Sequence, residues 1–231
     1  MTRVMASLIA VLVLQVAPGL VAWTGRAAAP TAEPDAVFER MLTGADPIIF
    51  AEGQLAGREP GVMRIRKAGG AIGLESAPGG ADVATGGGQI LIGRSSGTVS
   101  ARTGGGDINI GPAIGSVHAR TGAGDVRVLL GGVEGRNSSA DIVSGSGCVV
   151  IDLPLGIAAQ LDLEAAYTES FNRRPRVDST WNLRQQETVE WDTTHGTPRK
   201  YVRAHGQIGM GGGLIRVRTV NGDIAVRYGP S

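Results

Sequence analysis

Apolar and polar residues alternate in short runs along most of the chain. Ile108 and Ile110 flank Asn109, Val117 and Ala119 flank His118, and Val126 and Val128 flank Arg127. A period of two predicts strands with one buried face. The runs also recur at a fixed interval. Thr85-Gly86-Gly87-Gly88 is followed eighteen residues later by Thr103-Gly104-Gly105-Gly106, and after another eighteen by Thr121-Gly122-Ala123-Gly124. In the same frame Ile90, Ile108 and Val126 are equivalent, as are Ile92, Ile110 and Val128, while Val99 matches Val117 and Ala101 matches Ala119. Residues 61–65 and 79–83 extend the frame backward, and 213–226 repeat it near the C-terminus. A unit two residues shorter is expected through Val133, Gly135, Asn137, Asp141 and Ile142. Each unit holds two short strands that cannot bury their own apolar face. Stacking equivalent strands at about 4.8 Å solves that problem and predicts an all-β solenoid with coils of about eighteen residues.

From Cys148 to about His205 the frame is expected to lapse. One amphipathic strand stands out there, with Ala159, Leu161, Leu163 and Ala165 alternating with Gln160, Asp162 and Glu164. Five of the nine aromatic residues then fall between Tyr167 and Tyr201. Recognition surfaces concentrate Trp, Tyr and Arg, so Trp181, Trp191, Tyr201, Arg173 and Arg174 are the candidate partner-binding residues. The competing expectation is a long hairpin that wraps the solenoid or pairs with a second protomer, its rings filling the groove beneath. The resulting organisation is a single β-solenoid domain over 46–229, with an irregular aromatic-rich insertion at 171–201 before the last coil.

The first residues change the picture of where the chain works. Arg3 precedes an apolar run from Val4 to Ala22, and Ala27-Ala28-Ala29 follows. A positive start, an apolar run and small residues at the end are the parts of a secretory signal, so 1–29 read as a signal peptide or uncleaved anchor. Residues 30–45 read as a linker, with a helical turn or two suggested by Val37-Phe38 and Met41-Leu42. The expectation is an extracytoplasmic location, in the periplasm or at the cell surface. Thirty-seven glycines and only 4% aromatic residues argue against a core built on large rings. The net charge of +1 suggests no nucleic-acid partner, and the single cysteine, Cys148, permits no internal disulfide and no cysteine-based metal cluster.

The corner signature Thr-Gly-x-Gly-Asp suits tight turns. Gly104, Gly106, Gly122, Gly124 and Gly222 are expected to supply backbone freedom. Asp107, Asp125, Asp141 and Asp223 are expected to bond backbone N–H groups of the turn. A calcium-binding carboxylate ladder is the less favoured alternative, because Gln89 and Ala71 replace Asp in two coils. A row of Arg66, Arg102, Arg120, Arg136 and Arg218 is expected to point outward. It could hold an anionic glycan or lipid head group, but a solvated face offset by the nearby Asp row is the plainer expectation. His118, His195 and His205 show no metal-ligand spacing, so no metal and no cofactor is expected. Asp162 and Glu164, on one face of one strand, are candidates for the paired carboxylates of a polysaccharide lyase or hydrolase.

The phrases TGGGDINI, TGAGDVRV, IDLPLGIAAQLDLEA and GGGLIRVRTVNGDIAVR resemble the toastrack-like family of β-solenoids, which bacteria carry as adhesin-like proteins. They span roughly residues 60 to 228. VNGDIAVR and the LPxG that precedes an alternating strand are the more specific parts, and TGxGD alone is weak. The resemblance implies a right-handed single-domain solenoid outside the cytoplasm, linked to adhesion or to envelope stress, with no active-site residues to carry over. The aromatic-rich segment departs from that family's usual shorter connection. The expected role is a non-catalytic envelope module that binds a protein or glycan partner. Self-association as a structural module and a β-helix polysaccharide-cleaving enzyme are the alternatives.

Overall fold

The computed structural model describes residues 48–50 (backbone only), 61–132, 138–194 and 196–229. The expected signal or anchor, the linker with its helical turns, Val133, Gly135, Arg136, Asn137 and His195 lie outside the described residues. Within them the protein is all-β, consisting of two sheets of mainly parallel strands, as in a β-solenoid. The first sheet runs in the order β1 (Ile48–Phe50), β3 (Ile72–Ala77), β5 (Ile90–Ser96), β7 (Ile108–Ile114), β9 (Val126–Gly131), β11 (Val149–Leu153), β17 (Ile224–Tyr228) and β13 (Val177–Ser179). The second runs β14 (Arg184–Glu187), β15 (Arg199–Ile208), β12 (Ala159–Thr168), β16 (Gly213–Val220), β10 (Ser139–Ser144), β8 (Ser116–Thr121), β6 (Val99–Thr103), β4 (Ala81–Thr85) and β2 (Met63–Lys67).

Equivalent residues do lie in single file. Ile72 pairs with Ile90, Ile90 with Ile108 and Ile108 with Val126, continuing to Val149, Ile224 and Val177. The matching file on the second sheet runs Val83, Ala101, Ala119, Ile142, Val217 and Leu163. Both files are buried and belong to one core. Isoleucines on one sheet share that core with alanines on the other, which is how a thin interior is filled without voids. Burying each Ile side chain contributes about 1.5–3 kcal/mol.

Two expectations are corrected. The unit through Asp141 is longer than its neighbours, because Val117 pairs with Ala140 and Val126 with Val149, partners twenty-three residues apart. Asp141 was aligned by its resemblance to a corner Asp, but it lies inside β10 opposite His118. The corner of that coil is Gly145-Ser146-Gly147-Cys148. Nor does the frame lapse at Cys148. Val149 and Ile151 keep register with Val126 and Val128. Beyond them β12 and β13 add a further pair of parallel strands, with Leu161 opposite Ile215 and Val177 opposite Ile224. The C-terminal repeat, β16 and β17, is therefore interposed between β10/β11 and β12/β13. The antiparallel hairpin β14–β15 then closes the second sheet on β12.

The corners explain the glycines. Gly124 has φ +153, and a Cβ there would collide with the carbonyl of Gly106. Gly104 has no such φ, yet its Cβ would strike the carbonyl of Gly86 one coil below. Close stacking of backbone on backbone, more than the bend itself, excludes side chains at these places. The threonine that opens each corner points inward and donates its hydroxyl to a glycine carbonyl of the adjacent coil: Thr85 to Gly70 (2.8 Å), Thr103 to Gly88 (2.8 Å) and Thr121 to Gly106 (2.9 Å). Ser144 and Thr219 continue the ladder to Gly124 and Gly147.

Candidate functional site

The corner carboxylates are structural. Asp107 accepts the backbone N–H of Asp125 at 2.8 Å, and Asp125 accepts that of Cys148 at 2.7 Å. Asp223 accepts the N–H of Arg176 at 2.9 Å and pairs with the Arg173 guanidinium at 2.8 Å. Each bond links one coil to the next, whereas the expectation placed it within the aspartate's own turn. Partial burial pushes the Asp223 carboxyl up, but the Arg173 and Arg176 contacts outweigh it and leave it below the ordinary carboxylate range. Among the described residues no three His, Cys, Asp or Glu side chains are placed to hold a metal ion.

The five candidate binding residues are not one patch. Trp181 is partly buried against the core and meets Tyr228 at a tilt of 58°, ring centres 4.7 Å apart. Arg173 is committed to Asp223 and lies 4.6 Å from the Phe171 ring. The other three gather around the β14–β15 hairpin. Trp191 meets Tyr167 edge-on at 5.7 Å, with the Lys200 ammonium 5.0 Å from its ring centre. Glu187 joins this group by accepting the Tyr167 hydroxyl at 2.7 Å and pairing with Arg174 at 3.0 Å. The Tyr201 hydroxyl donates to Asp192 at 3.1 Å, and Arg203 covers its ring at 4.9 Å. The hydrogen bond to Glu187 holds the Tyr167 phenol above its usual pKa. Burial and the Asp192 carboxylate do the same for Tyr201.

The outer face of the second sheet carries its side chains in straight rows. One row reads Arg64, Asp82, Ser100 and His118, then Asp141, Arg216, Asp162, His205 and Arg184. Beside it run Arg66, Ala84, Arg102 and Arg120, then Val143, Arg218, Glu164, Arg203 and Gln186. Four of the five expected arginines are thus aligned. Arg136 lies outside the described residues, and Val143 holds that coil's place in the row. Near the hairpin an open groove of about 850 Å³ is lined by Gln160, Asp162, Asn182, Arg184, His205 and Arg216, with Leu214 as its exposed apolar member.

The carboxylate pair considered for acid–base chemistry sits on this face, and both members are engaged. Asp162 is held by Arg216 at 3.0 Å and His205 at 3.2 Å, and Glu164 by Arg203 at 2.7 Å. His118 is exposed, as its outward position implied. Sequence reasoning overlooked Asp152, which is 2% exposed and gripped by Arg127 at 3.1 Å and Arg227 at 2.7 Å. The signal was available as a lone acid in the run Val149–Leu153, in the same column as Arg227.

The fold defines a β-solenoid-like protein of two parallel sheets. Compared with protein-family models, curated proteins and solved structures, the chain matches none.

Proposed function

We propose that the chain is an exported, non-catalytic, right-handed β-solenoid with coils of about eighteen residues, whose closed end binds a protein or glycan partner of the cell envelope. The observation that carries this reading is Trp191. Trp181, in the same segment, packs against the core, whereas Trp191 stays 37% exposed on the hairpin, braced by Tyr167 and Lys200. A ring held rigidly at the surface by its neighbours is the kind of anchor that dominates binding energy. The ion-paired state of Asp162 and Glu164 supports a binding role over a hydrolytic one. Their resemblance-bearing phrase, IDLPLGIAAQLDLEA, supports the toastrack-like, adhesin-like assignment and a place outside the cytoplasm. Self-association is disfavoured at the closed end, where β14 reads Arg-Gln-Gln-Glu, fully exposed, and β13 has only three residues.

Trp191→Ala is expected to weaken capture of the envelope partner at least tenfold with little change in melting temperature. Trp181→Ala is expected to do the reverse. Partner capture that survives Trp191→Ala and Tyr201→Ala together would remove the hairpin as the binding site.

A further inference from the structure

The aligned arginines gain a meaning that the rows alone did not have. Of the carboxylates expected to offset them, Asp107, Asp125 and Asp223 lie at the corners and are occupied by backbone N–H groups and Arg173, and Asp141 alone lies on the sheet. What offsets the face instead is a set of cross-strand acids on the sheet itself. Arg66 pairs with Asp82 at 2.7 Å and Arg120 with Asp141 at 3.4 Å, and Asp162 and Glu164 occupy Arg216 and Arg203. These acids cover only half of the cations. Arg64, Arg102, Arg184 and Arg218 form no ion pair with any described residue, and all four are exposed. The two rows thus set eight arginines against four carboxylates, in a chain whose formal net charge is only +1. The positive charge is concentrated on one face.

We infer that the outer face of the second sheet binds a linear acidic polysaccharide, one that carries a carboxylate on its sugars, laid across the strands. The side-chain chemistry selects this occupant over other polyanions. Unpaired guanidinium forks match carboxylates in a bidentate geometry. In the groove at the hairpin end, the amides of Gln160, Asn182 and Gln207 stand beside Arg184 and Arg216. Such a mixture of amides and cations suits hydroxyls interspersed with carboxylates. The strand spacing of about 4.8 Å is comparable to one sugar of an extended chain, so successive rows can meet successive residues. A membrane surface is a poorer fit, because these rows contain no large apolar wedge and Leu214 is the groove's lone exposed apolar side chain. Single-stranded nucleic acid is poorer still, since the ring on this face, Tyr201, is covered by Arg203 and not open for stacking. The rows reach the hairpin at Arg184 and Arg203, but Arg102 and Arg218 lie off it and Trp191 lies off the rows, so substitutions at those three positions separate this inference from the hairpin site.

The test is calorimetric titration of the purified full chain with an oligomer of a linear uronic acid, against a neutral glucan of equal length and vesicles containing anionic phospholipid. The uronate is expected to bind, with affinity falling as salt rises, and the glucan is not. Arg102→Gln, Arg184→Gln and Arg218→Gln remove no ion pair among the described residues and should each weaken binding about fivefold, the usual effect of one cation facing a polyanion. Arg94→Gln, an exposed arginine on the other sheet, should leave it unchanged. Absence of uronate binding would overturn the inference. So would equal binding of the glucan, equally tight binding of the vesicles, or a loss with Arg94→Gln as large as that with Arg218→Gln. A failure here with Trp191-dependent partner capture intact would leave the proposed function standing.

Discussion

The strands from β2 to β11 and those from β12 to β17 bury the same kinds of side chain but are assembled differently. In the first region sequence order and spatial order agree. Every coil lies on the one made just before it, and each corner is tied to the next by a threonine or serine hydroxyl and, in the later coils, by an aspartate. In the second region the order is broken. The last coil of the chain enters the middle of the stack, and the segment that precedes it lies outside it, under an antiparallel hairpin. The corner there keeps the Thr219 and Asp223 ties and adds a third. Asn221, at φ +55 in the place that Ala123 and Ser146 hold in the preceding corners, accepts the N–H of Thr168 on its side-chain oxygen at 2.9 Å and donates its own N–H to the Ala166 carbonyl. A repeat can be extended indefinitely by one rule, but it must be stopped by another. A short β13 and a polar, fully exposed β14 do the stopping here.

The largest effect should come from removing what joins the two regions. Deleting β16 and β17 leaves β12 without its parallel partner and opens the edges of β10 and β11. Hydrogen exchange should then show protection lost over Ala159–Thr168 and retained over Val99–Gly131. Protection that persists in β12 would contradict the interposed coil. Next in size is Gly124→Ala, where positive φ and a steric collision with the Gly106 carbonyl act together, for an expected loss of about 3 kcal/mol in chemical denaturation. Gly196→Ala, near the hairpin, has φ +90 but open space around it and should cost only about 1 kcal/mol. A loss of about 1–2 kcal/mol, smaller than that of Gly124→Ala, is expected for Thr103→Val, which keeps the shape but leaves the Gly88 carbonyl without its donor. The smallest effect concerns pH. The folded-state pKa of Asp223 lies below its unfolded value, so its contribution is present above about pH 4 and is lost as pH falls through the folded value. Because the Arg173 pair is largely exposed, Asp223→Asn should flatten the acid limb of the stability curve by only a few tenths of a kcal/mol.

Much of the first region was legible because its cause is local and repeated. Ile90, Ile108 and Val126 recur at one interval, and alternation tells which face is buried. The Thr column was equally visible, but its role was not, since the acceptor carbonyl belongs to the adjacent coil. Asp141 was misplaced because a Gly or Asn near an Asp resembles a corner wherever it falls, and only the pairing of Ala140 with Val117 shows that the coil has grown longer. Of the five candidate site residues, clustering in sequence grouped Trp181 with Trp191. Tyr228, forty-seven residues further along the chain, is what draws Trp181 aside, whereas Trp191 stays exposed.

By itself, the amino-acid order determined that this protein is built of stacked strands with glycine corners, because period-two alternation within an eighteen-residue repeat has no other way to bury its apolar face. Only the tertiary structure decided the order of the stack, the stopping hairpin and the imbalance of charge on one sheet. Those depend on which strand lies beside which, and neighbours across a sheet can be separated by any length of chain.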